Sequence, residues 1–402
     1  MMHYDKYQPA PLTARSANWL IHYLLPLGWL ALATGMFWVG DRSLYHKVYY
    51  GLLVTPTVLL VVLSPRQTAR MWSEPILQAF TPFALYIALT LAWSSDAEPS
   101  SLKYPLYVLM LFVALGHLVL TDARPLLLGT LLAALVAPLS ALVTLGWWFH
   151  LGAMDRLTGY GALYNPLLTT HVFGFYAAMW LAVWCSKIKV PAFLPLTALA
   201  ILMTLIVFTG SRTPLLALAA CLLWLMLAAP NRRSLGSAGF ALLIAALLLW
   251  LVPETILQRG ASFRPAIWHE AWRQIQEAPW FGHGFGTPMV VRVSGLNEPL
   301  ADPHNLTLGV LYQAGILGGI LWLALYSVAL YQAWVKRHAP LVLIAGTTVV
   351  FGLTAGMTEG SSFMSRPKEH WFLTWIPLGL LFAALLKERL TLIRDSRNEE
   401  PK

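Results

Sequence analysis

The stretch PETILQRGASFRPAIWHEAWRQIQEAPWFGHGFG, residues 253–286, opens the only long polar interval of an otherwise apolar chain. The interval closes on ADPHNLTLGVLYQAG, residues 301–315, within which a new apolar run begins. It separates a long apolar region before it from a shorter one after it. Because ionisable side chains are concentrated in this interval, we expect any chemistry to lie there and in the segments that face it.

Composition indicates a polytopic membrane protein. Of the 402 residues, 58% are hydrophobic and 11% are charged, whereas soluble domains carry about 25% charged residues. The formal net charge is +9, but no block of Lys and Arg with interleaved aromatic residues indicates a nucleic-acid surface, so we expect no nucleic-acid partner. Cys185 and Cys221 lie inside apolar runs, which favours packing roles over a disulfide.

Twelve apolar runs are long enough to suggest membrane-spanning helices, which need about 20 residues. We therefore predict an all-α fold with about 12 transmembrane helices. Residues 1–252 would hold helices 1–9, residues 253–304 one large loop, residues 305–386 helices 10–12, and residues 387–402 a tail. The predicted runs are 19–38, 46–63, 75–93, 103–120, 125–148, 167–186, 191–209, 213–229, 235–252, 305–331, 340–357 and 370–386.

Basic residues in the short loops predict the orientation. Residues such as Lys6, Arg66, Arg232 and Lys336 fall on the side that holds both termini, which the positive-inside rule assigns to the cytoplasm. The large loop then faces outward. The run from Trp19 is long enough to span and lacks a small-residue cleavage site, so we expect a retained first span. The charged end of the chain, 387–402, predicts a solvated, partly disordered cytoplasmic tail.

Inside the large loop, Pro265 suits the first position of a helix, which makes Arg264 the expected cap. Pro279 would end the helical pattern. We expect an amphipathic helix in the membrane interface, followed by a mobile glycine-rich turn at 282–286. The apolar residues at helical spacing are Ile267, Ala271, Trp272 and Ile275, and the tryptophans expected at headgroup level are Trp268, Trp272 and Trp280.

Two arginines are candidates for binding an anion. Arg212 lies in Gly210-Ser211-Arg212-Thr213-Pro214, between two apolar runs, and Arg264 begins the loop helix. A guanidinium beside the free N–H groups of a helix start is a suitable anion site, and two of them on one side suit a pyrophosphate. The alternative for each is contact with lipid headgroups.

His304 is the candidate general base. It lies between Pro303 and Asn305, where the new apolar run begins, and a neutral imidazole can accept a proton near pH 7. Asp302 could orient it, although adjacent residues seldom face each other. The alternative is a structural histidine beside a helix cap.

A second outward loop, residues 156–166, offers Arg156 and Asn165 as substrate contacts, with a plain turn and helix entry as the alternative. His171, one turn further on, is expected to be a satisfied histidine of the bundle. The sequence has no His-Glu-x-x-His, Cys-x-x-Cys, Walker or Gly-x-Ser-x-Gly pattern. Carboxylates near the polar motifs are few, so an enzyme here would use a base and arginine electrostatics without a metal.

These motifs resemble the bacterial O-antigen ligases, a family related to O-antigen polymerases and protein O-oligosaccharyltransferases. The resemblance rests on the predicted twelve spans, the large outward loop, Gly-Ser-Arg-Thr at 210–213, Arg-Pro-Ala-Ile-Trp at 264–268, Pro-His-Asn-Leu at 303–306 and the following 311–318 segment.

The resemblance implies transfer of a polysaccharide from undecaprenyl pyrophosphate to a sugar hydroxyl of lipid A–core, on the periplasmic side of the bacterial inner membrane. It implies His304 as the base and Arg212 and Arg264 as pyrophosphate ligands, with no metal or nucleotide cofactor. Arg156, Asn165, Trp268 and Asn305 are further possible substrate contacts. Membrane lipids would surround the bundle.

Three alternatives stay open. A polymerase would use a second lipid-linked glycan as acceptor, and a protein O-oligosaccharyltransferase would use a protein. A transporter of a lipid-linked anion would carry charges through the bundle and internal repeats, whereas we expect this chain to place its charges at one surface, and it shows no repeat.

Overall fold

A computed structural model describes residues 12–96, 98–152, 155–251, 263–294, 298–360 and 362–399. Within these ranges the chain is helical between its loops, and its one β-type pairing is an isolated antiparallel bridge between Val291 and Leu300. The predicted all-α fold is confirmed. Lys6, part of the orientation prediction, and residues 253–262 of the predicted loop lie outside the described residues.

A long helix lies over each of the twelve predicted runs. Seven of these helices are long and apolar enough to cross a membrane, and three more are shorter apolar helices, so the chain is a multi-pass membrane protein. The exact number of twelve crossings stays a prediction. The helices are Arg15–Phe37, Arg42–Leu63, Pro75–Trp93, Pro99–Thr121, Arg124–His150, Pro166–Cys185, Phe193–Thr209, Thr213–Ala228, Arg232–Leu251, Leu306–Val335, Pro340–Gly356 and Trp375–Glu399.

Prolines shape the first two helices locally. A wider, π-helical turn at Leu20–Leu24 precedes Pro26, and a second one at Tyr50–Val54 precedes Pro56. Proline has no N–H to donate and its ring collides with the carbonyl one turn earlier. The wider turns accommodate that ring, so both helices continue past their prolines.

Apolar side chains line the interior of the bundle and also cover its outside. Trp29, Trp180 and Trp322 are fully buried, whereas Val143 and Leu242 are exposed on the outer surface. In water such a surface would drive association, but in a bilayer it is solvated by lipid. The helices therefore fit a membrane on their apolar pattern as well as on their length.

The loops meet at two ends of the bundle. At one end Ser94 hydrogen-bonds Thr287 at 3.0 Å, and Arg264 pairs with Glu359. We call this the site end. At the other end, the opposite end, Arg389 donates to Ser73 Oγ at 2.6 Å.

The helix Leu306–Val335 is broken at Gly315, and the loop repairs the break. Gly315 has φ 64° and ψ −166°, so the regular hydrogen bonds across it are lost. The carbonyls of Tyr312 and Gln313 instead accept from the N–H groups of His283 and Gly284, both at 2.9 Å. The N–H groups of Ile316 and Leu317 donate to the carbonyls of Pro279 and Trp280, at 2.8 and 3.3 Å. The glycine-rich turn is thus anchored in the membrane helix, so the prediction that it would be mobile was wrong.

The loop helix is Arg264–Ile275, close to the predicted position. Its cap is Phe263, which makes no side-chain capping bond, so the prediction of Arg264 as the cap was wrong by one residue. Ile267, Ala271 and Ile275 are buried against Met289, Val291 and Tyr312, which confirms the amphipathic pattern. Arg264 is consequently the first residue of the helix, and its side chain is available for tertiary contacts.

The end of the chain differs from its prediction. The last helix continues from Trp375 to Glu399, so residues 387–399 are helical and not partly disordered. Leu390 packs against the core, and Arg389 reaches Ser73 and Glu74. These two contacts hold the start of the charged stretch on the bundle.

Candidate active site

Arg264 lies in a polar network that joins three segments at the site end. Its Nη2 pairs with Oε1 of Glu359 and lies 3.4 Å from Oγ1 of Thr213. Thr213 Oγ1 donates to Glu359 Oε1 at 3.3 Å, and Thr358 Oγ1 donates to Thr213 Oγ1 at 3.3 Å. The starts of two helices and the turn after Pro340–Gly356 therefore meet at one carboxylate.

Glu359 is nearly inaccessible, with 3% of its side chain exposed. Burial raises the pKa of this carboxyl, because the charged form loses its hydration, and the charges of Arg264 and His304 and the hydrogen bonds from Thr213 and Arg264 oppose that rise. These partners thus offset part of the free energy that burial of the charged carboxylate costs.

His304 stands beside this network in a left-handed backbone conformation. Its φ is 48°, the one positive φ of a non-glycine residue in the described ranges. Asp302 Oδ1 accepts from the backbone N–H of His304 at 2.8 Å and lies 3.2 Å from its Nδ1. Nδ1 is also 4.0 Å from Glu359 Oε2. The suggested orienting role of Asp302 agrees with this geometry, since the tight turn lets neighbouring residues face each other.

Asn305 holds the histidine turn in place. Its Oδ1 accepts from Leu308 N–H at 3.0 Å, capping the helix Leu306–Val335, and its Nδ2 donates to the carbonyl of Met357 at 2.7 Å. Both polar ends of the amide are used inside the protein. Asn305 therefore ties His304 to the segment that carries Glu359.

Arg212 lies next to Thr213, at the position that precedes the helix Thr213–Ala228. Gly210, with φ 63°, ends the previous helix and lets the chain turn sharply between the two. The Arg212 side chain is exposed and forms no ion pair within the part of the chain that the structure describes. Thr213 therefore follows the unpaired Arg212 in the sequence and contacts the paired Arg264 across the fold.

The remaining predicted contacts take structural positions. Arg156 Nε donates to the carbonyl of Thr209 at 2.7 Å, which holds the 156–166 loop near the Arg212 turn. Asn165 Oδ1 accepts from Leu167 N–H at 2.8 Å and caps the next helix. Trp268, a residue of the loop helix, is half-buried against the apolar cluster beneath that helix, while Trp272 and Trp280 are exposed.

His171 was expected to be a satisfied histidine, and this was wrong for the described structure. It is buried, its ring lies 5.3 Å from that of His370, and neither of its ring nitrogens has a hydrogen-bond partner in the described chain. His370 in turn packs against Gly360, the residue after Glu359. The two imidazole rings thus pack behind the turn that carries Glu359.

Sequence reasoning missed the short segment between the last two apolar runs. It contributes Glu359 and also Glu369, which is buried and pairs with Arg42 at the start of the second long helix. Burial lowers the pKa of Lys368. The charges of Glu369, Arg42 and Asp302 also act on this ammonium group. The expectation of few carboxylates near the motifs was therefore wrong. The available signal was the cluster of charges between two apolar runs, at Glu359, Arg366, Lys368 and Glu369.

Within the described residues, no three His, Cys, Asp or Glu side chains are grouped so that they could hold a metal ion. The polar groups that converge are the imidazole of His304, the guanidinium of Arg264 and the carboxylates of Asp302 and Glu359. Such a set can accept a proton and bind an anion.

Comparison with known proteins identifies the family of this chain. The family described as O-antigen ligase matches residues 197–323, a range that contains Arg212, Arg264 and His304. A protein of Pseudomonas aeruginosa named O-antigen ligase is 50% identical over 377 residues, which cover 93% of this chain and 94% of that protein. With half of its residues shared along almost the whole length, the chain belongs to the O-antigen ligase family.

Proposed function

We propose that this chain transfers an O-antigen polysaccharide from undecaprenyl pyrophosphate to a sugar hydroxyl of lipid A–core, on the periplasmic face of the bacterial inner membrane. The bond between the anomeric carbon and the pyrophosphate oxygen would break, and a bond to the acceptor oxygen would form. The observation that carries the proposal is the convergence of Arg264, His304 and Glu359 at one end of a family member's bundle, with Arg212 one residue before Thr213, which also contacts Glu359.

His304 would take the proton of the acceptor hydroxyl. A carboxylate beside Nδ1 favours a proton on that nitrogen, which leaves Nε2 with the lone pair needed of a base. About a third of the side chain is exposed, so a hydroxyl can reach it. Asp302 and Glu359 would also steady the imidazolium that forms.

Arg212 and Arg264 would bind the pyrophosphate and stabilise the negative charge that develops as it leaves. Arg212 is exposed and has no competing carboxylate in the described chain. Arg264 is bound to Glu359, so the donor would have to share its guanidinium with that carboxylate. A planar guanidinium has five N–H donors, which permits such sharing.

Arg156 and Trp268 would extend the site toward the glycan. Arg156 uses Nε for the Thr209 carbonyl, and its terminal nitrogens have no partner in the described chain. Asn165 and Asn305 would act mainly by holding the loops that carry the other residues. Because two arginines can supply the positive charge, we propose that the transfer needs no metal ion.

Purified protein with a lipid-linked glycan, assayed with and without lipid A–core, tests the function. We expect glycan on lipid A–core with the wild type and none with His304→Ala. His269→Ala is the matched control, because His269 is an exposed histidine of the loop helix, and it should transfer normally.

Other outcomes identify the alternatives. Longer lipid-linked glycans formed without lipid A–core would make the chain a polymerase, and glycan attached to a protein acceptor would make it a protein O-oligosaccharyltransferase. Equal transfer by the wild type and His304→Ala would remove the histidine from catalysis. No new glycosidic bond in any assay would overturn the proposed reaction.

A further inference from the structure

Three loops at the opposite end of the bundle bring basic side chains together. The segments 186–191, 230–233 and 336–340 each join two helices there, and none of them contains Asp or Glu. Their basic residues are Lys187, Lys189, Arg232, Arg233, Lys336, Arg337 and His338. The mechanism at the site end uses none of these residues.

Two adjoining cavities open between these loops. Lys187, Asn231, Arg337 and His338 line the first, whose floor is apolar and includes Leu343. The second cavity shares Lys187 with the first and adds Lys189, Ile188, Pro191 and Arg233. The first has a volume of about 270 Å³, well above the roughly 30 Å³ that one water occupies in the liquid. We call Lys187, Lys189, Asn231, Arg233 and Arg337 the basic pocket.

Two tryptophans hold the arginines of the basic pocket in place. Arg233 lies over the ring of Trp184 at 4.7 Å, and its Nη1 donates to the Trp184 carbonyl at 3.2 Å. Arg337 lies over the ring of Trp334 at 4.3 Å, and its Nη1 donates to the Trp334 carbonyl at 2.7 Å. Each guanidinium keeps further N–H groups for a ligand. Because both arginine side chains are already held in place, binding a ligand would cost little conformational entropy.

These features fit a lipid headgroup better than a free anion. Tryptophans concentrate where the bilayer meets water, so Trp184 and Trp334 mark headgroup depth. The pocket combines a basic mouth with an apolar floor, and basic pockets between membrane helices recognise anionic headgroups. We propose that the basic pocket binds one anionic phospholipid, with the phosphate between Lys187 and the two arginines and an acyl chain along the apolar floor.

The test uses the full-length protein in a neutral detergent, titrated with phosphatidylglycerol, phosphatidylcholine or inorganic phosphate. Bound lipid is counted by native mass spectrometry, and the rise in Tm gives the apparent affinity. One basic residue near an anionic headgroup contributes roughly a fivefold change in affinity, so Lys187→Gln/Arg233→Gln/Arg337→Gln should weaken phosphatidylglycerol binding about a hundredfold. Phosphatidylcholine should cause no rise in Tm.

Two further variants keep the result interpretable. Arg66→Gln/Arg70→Gln/Arg394→Gln removes the same charge from exposed residues outside the cavities and should bind normally. Lys187→Gln/Lys189→Gln breaks no hydrogen bond of the described chain, so it should fold normally and lose about twenty-fivefold in affinity. Equal binding by this pair and the wild type would overturn the proposal. Inorganic phosphate that displaces the lipid and stabilises the protein equally would assign the pocket to free phosphate instead.

Discussion

Arg264 and Glu359, separated by 95 positions in the sequence, form an ion pair at the site end of the bundle. The glutamate is buried, while a quarter of the arginine side chain is exposed. A buried pair is a weak source of stability, because both charges lose their hydration. Because the pair lies beside His304, we propose that Glu359 holds the guanidinium at the site where the donor pyrophosphate would arrive.

The two arginines should respond differently to truncation. Arg212 is exposed and unpaired in the described chain, so Arg212→Ala should lower kcat/KM by about 10²- to 10³-fold with little change in Tm. Arg264→Ala should lose activity similarly and also lose about 1–3 kcal/mol of stability, because Glu359 is left buried without its partner. Transfer assays and thermal unfolding measure the two effects.

Arg292→Ala is the control for both variants, because it removes an exposed arginine of the large loop that also carries Arg264. Its activity and Tm should match those of the wild type. Near-normal transfer by both Arg212→Ala and Arg264→Ala would remove the pyrophosphate clamp from the mechanism.

Glu359 should make stability depend on pH in a defined direction. Burial raises the pKa of its carboxyl above the ordinary value of 4.5, so the folded protein binds this proton more tightly than the unfolded chain does. The contribution of the Glu359 carboxyl to the free energy of unfolding is therefore fully present below pH 4.5. It is lost as the pH rises through the raised pKa of the folded state. The stability of the wild type relative to Glu359→Gln should fall across that window. Unfolding curves at several pH values measure the difference, and a rise with pH would show that the ion pair outweighs burial.

Gly315→Ala should destabilise the protein strongly. Its φ of 64° costs a residue with a side chain about 1–2 kcal/mol, and the added Cβ would collide with the carbonyl of Trp280. Gly146→Ala is the matched control, since Gly146 lies in a regular helix with no neighbour within 4 Å of the added atom. It should leave Tm unchanged or raise it, because Ala is about 0.5–1 kcal/mol more favourable than Gly inside a helix. Equal Tm values for the two variants would contradict the anchoring role of the broken helix.

Transfer should survive chelation. We expect purified protein dialysed against EDTA to keep its rate, because Arg212 and Arg264 supply the charge that a metal would otherwise provide. The assay is repeated after Mg²⁺, Mn²⁺ or Ca²⁺ is added back. A loss in EDTA that one of these ions restores would show a metal requirement.

Local rules account for what sequence predicted well. The helices could be placed because hydrocarbon demands about 20 apolar residues with internally satisfied backbone groups, a requirement that each segment meets alone. Arg212, Arg264 and His304 were found because polar residues at helix starts interrupt that pattern. The cap of the loop helix was predicted one residue late, and the helical tail was missed because the packing of Leu390 against the core is a tertiary contact.

By itself, then, the sequence determined the membrane class, the helix positions and the three principal candidate residues. All of these follow from the apolar runs and from the polar residues that interrupt them locally. Tertiary structure alone decided that Glu359 meets Arg264 and His304, that Asp302 faces the imidazole, and that the loop repairs the break at Gly315. These contacts join segments whose separation in sequence carries no local signal. Their energies come from burial, charge and backbone hydrogen bonds that exist only once the helices have packed.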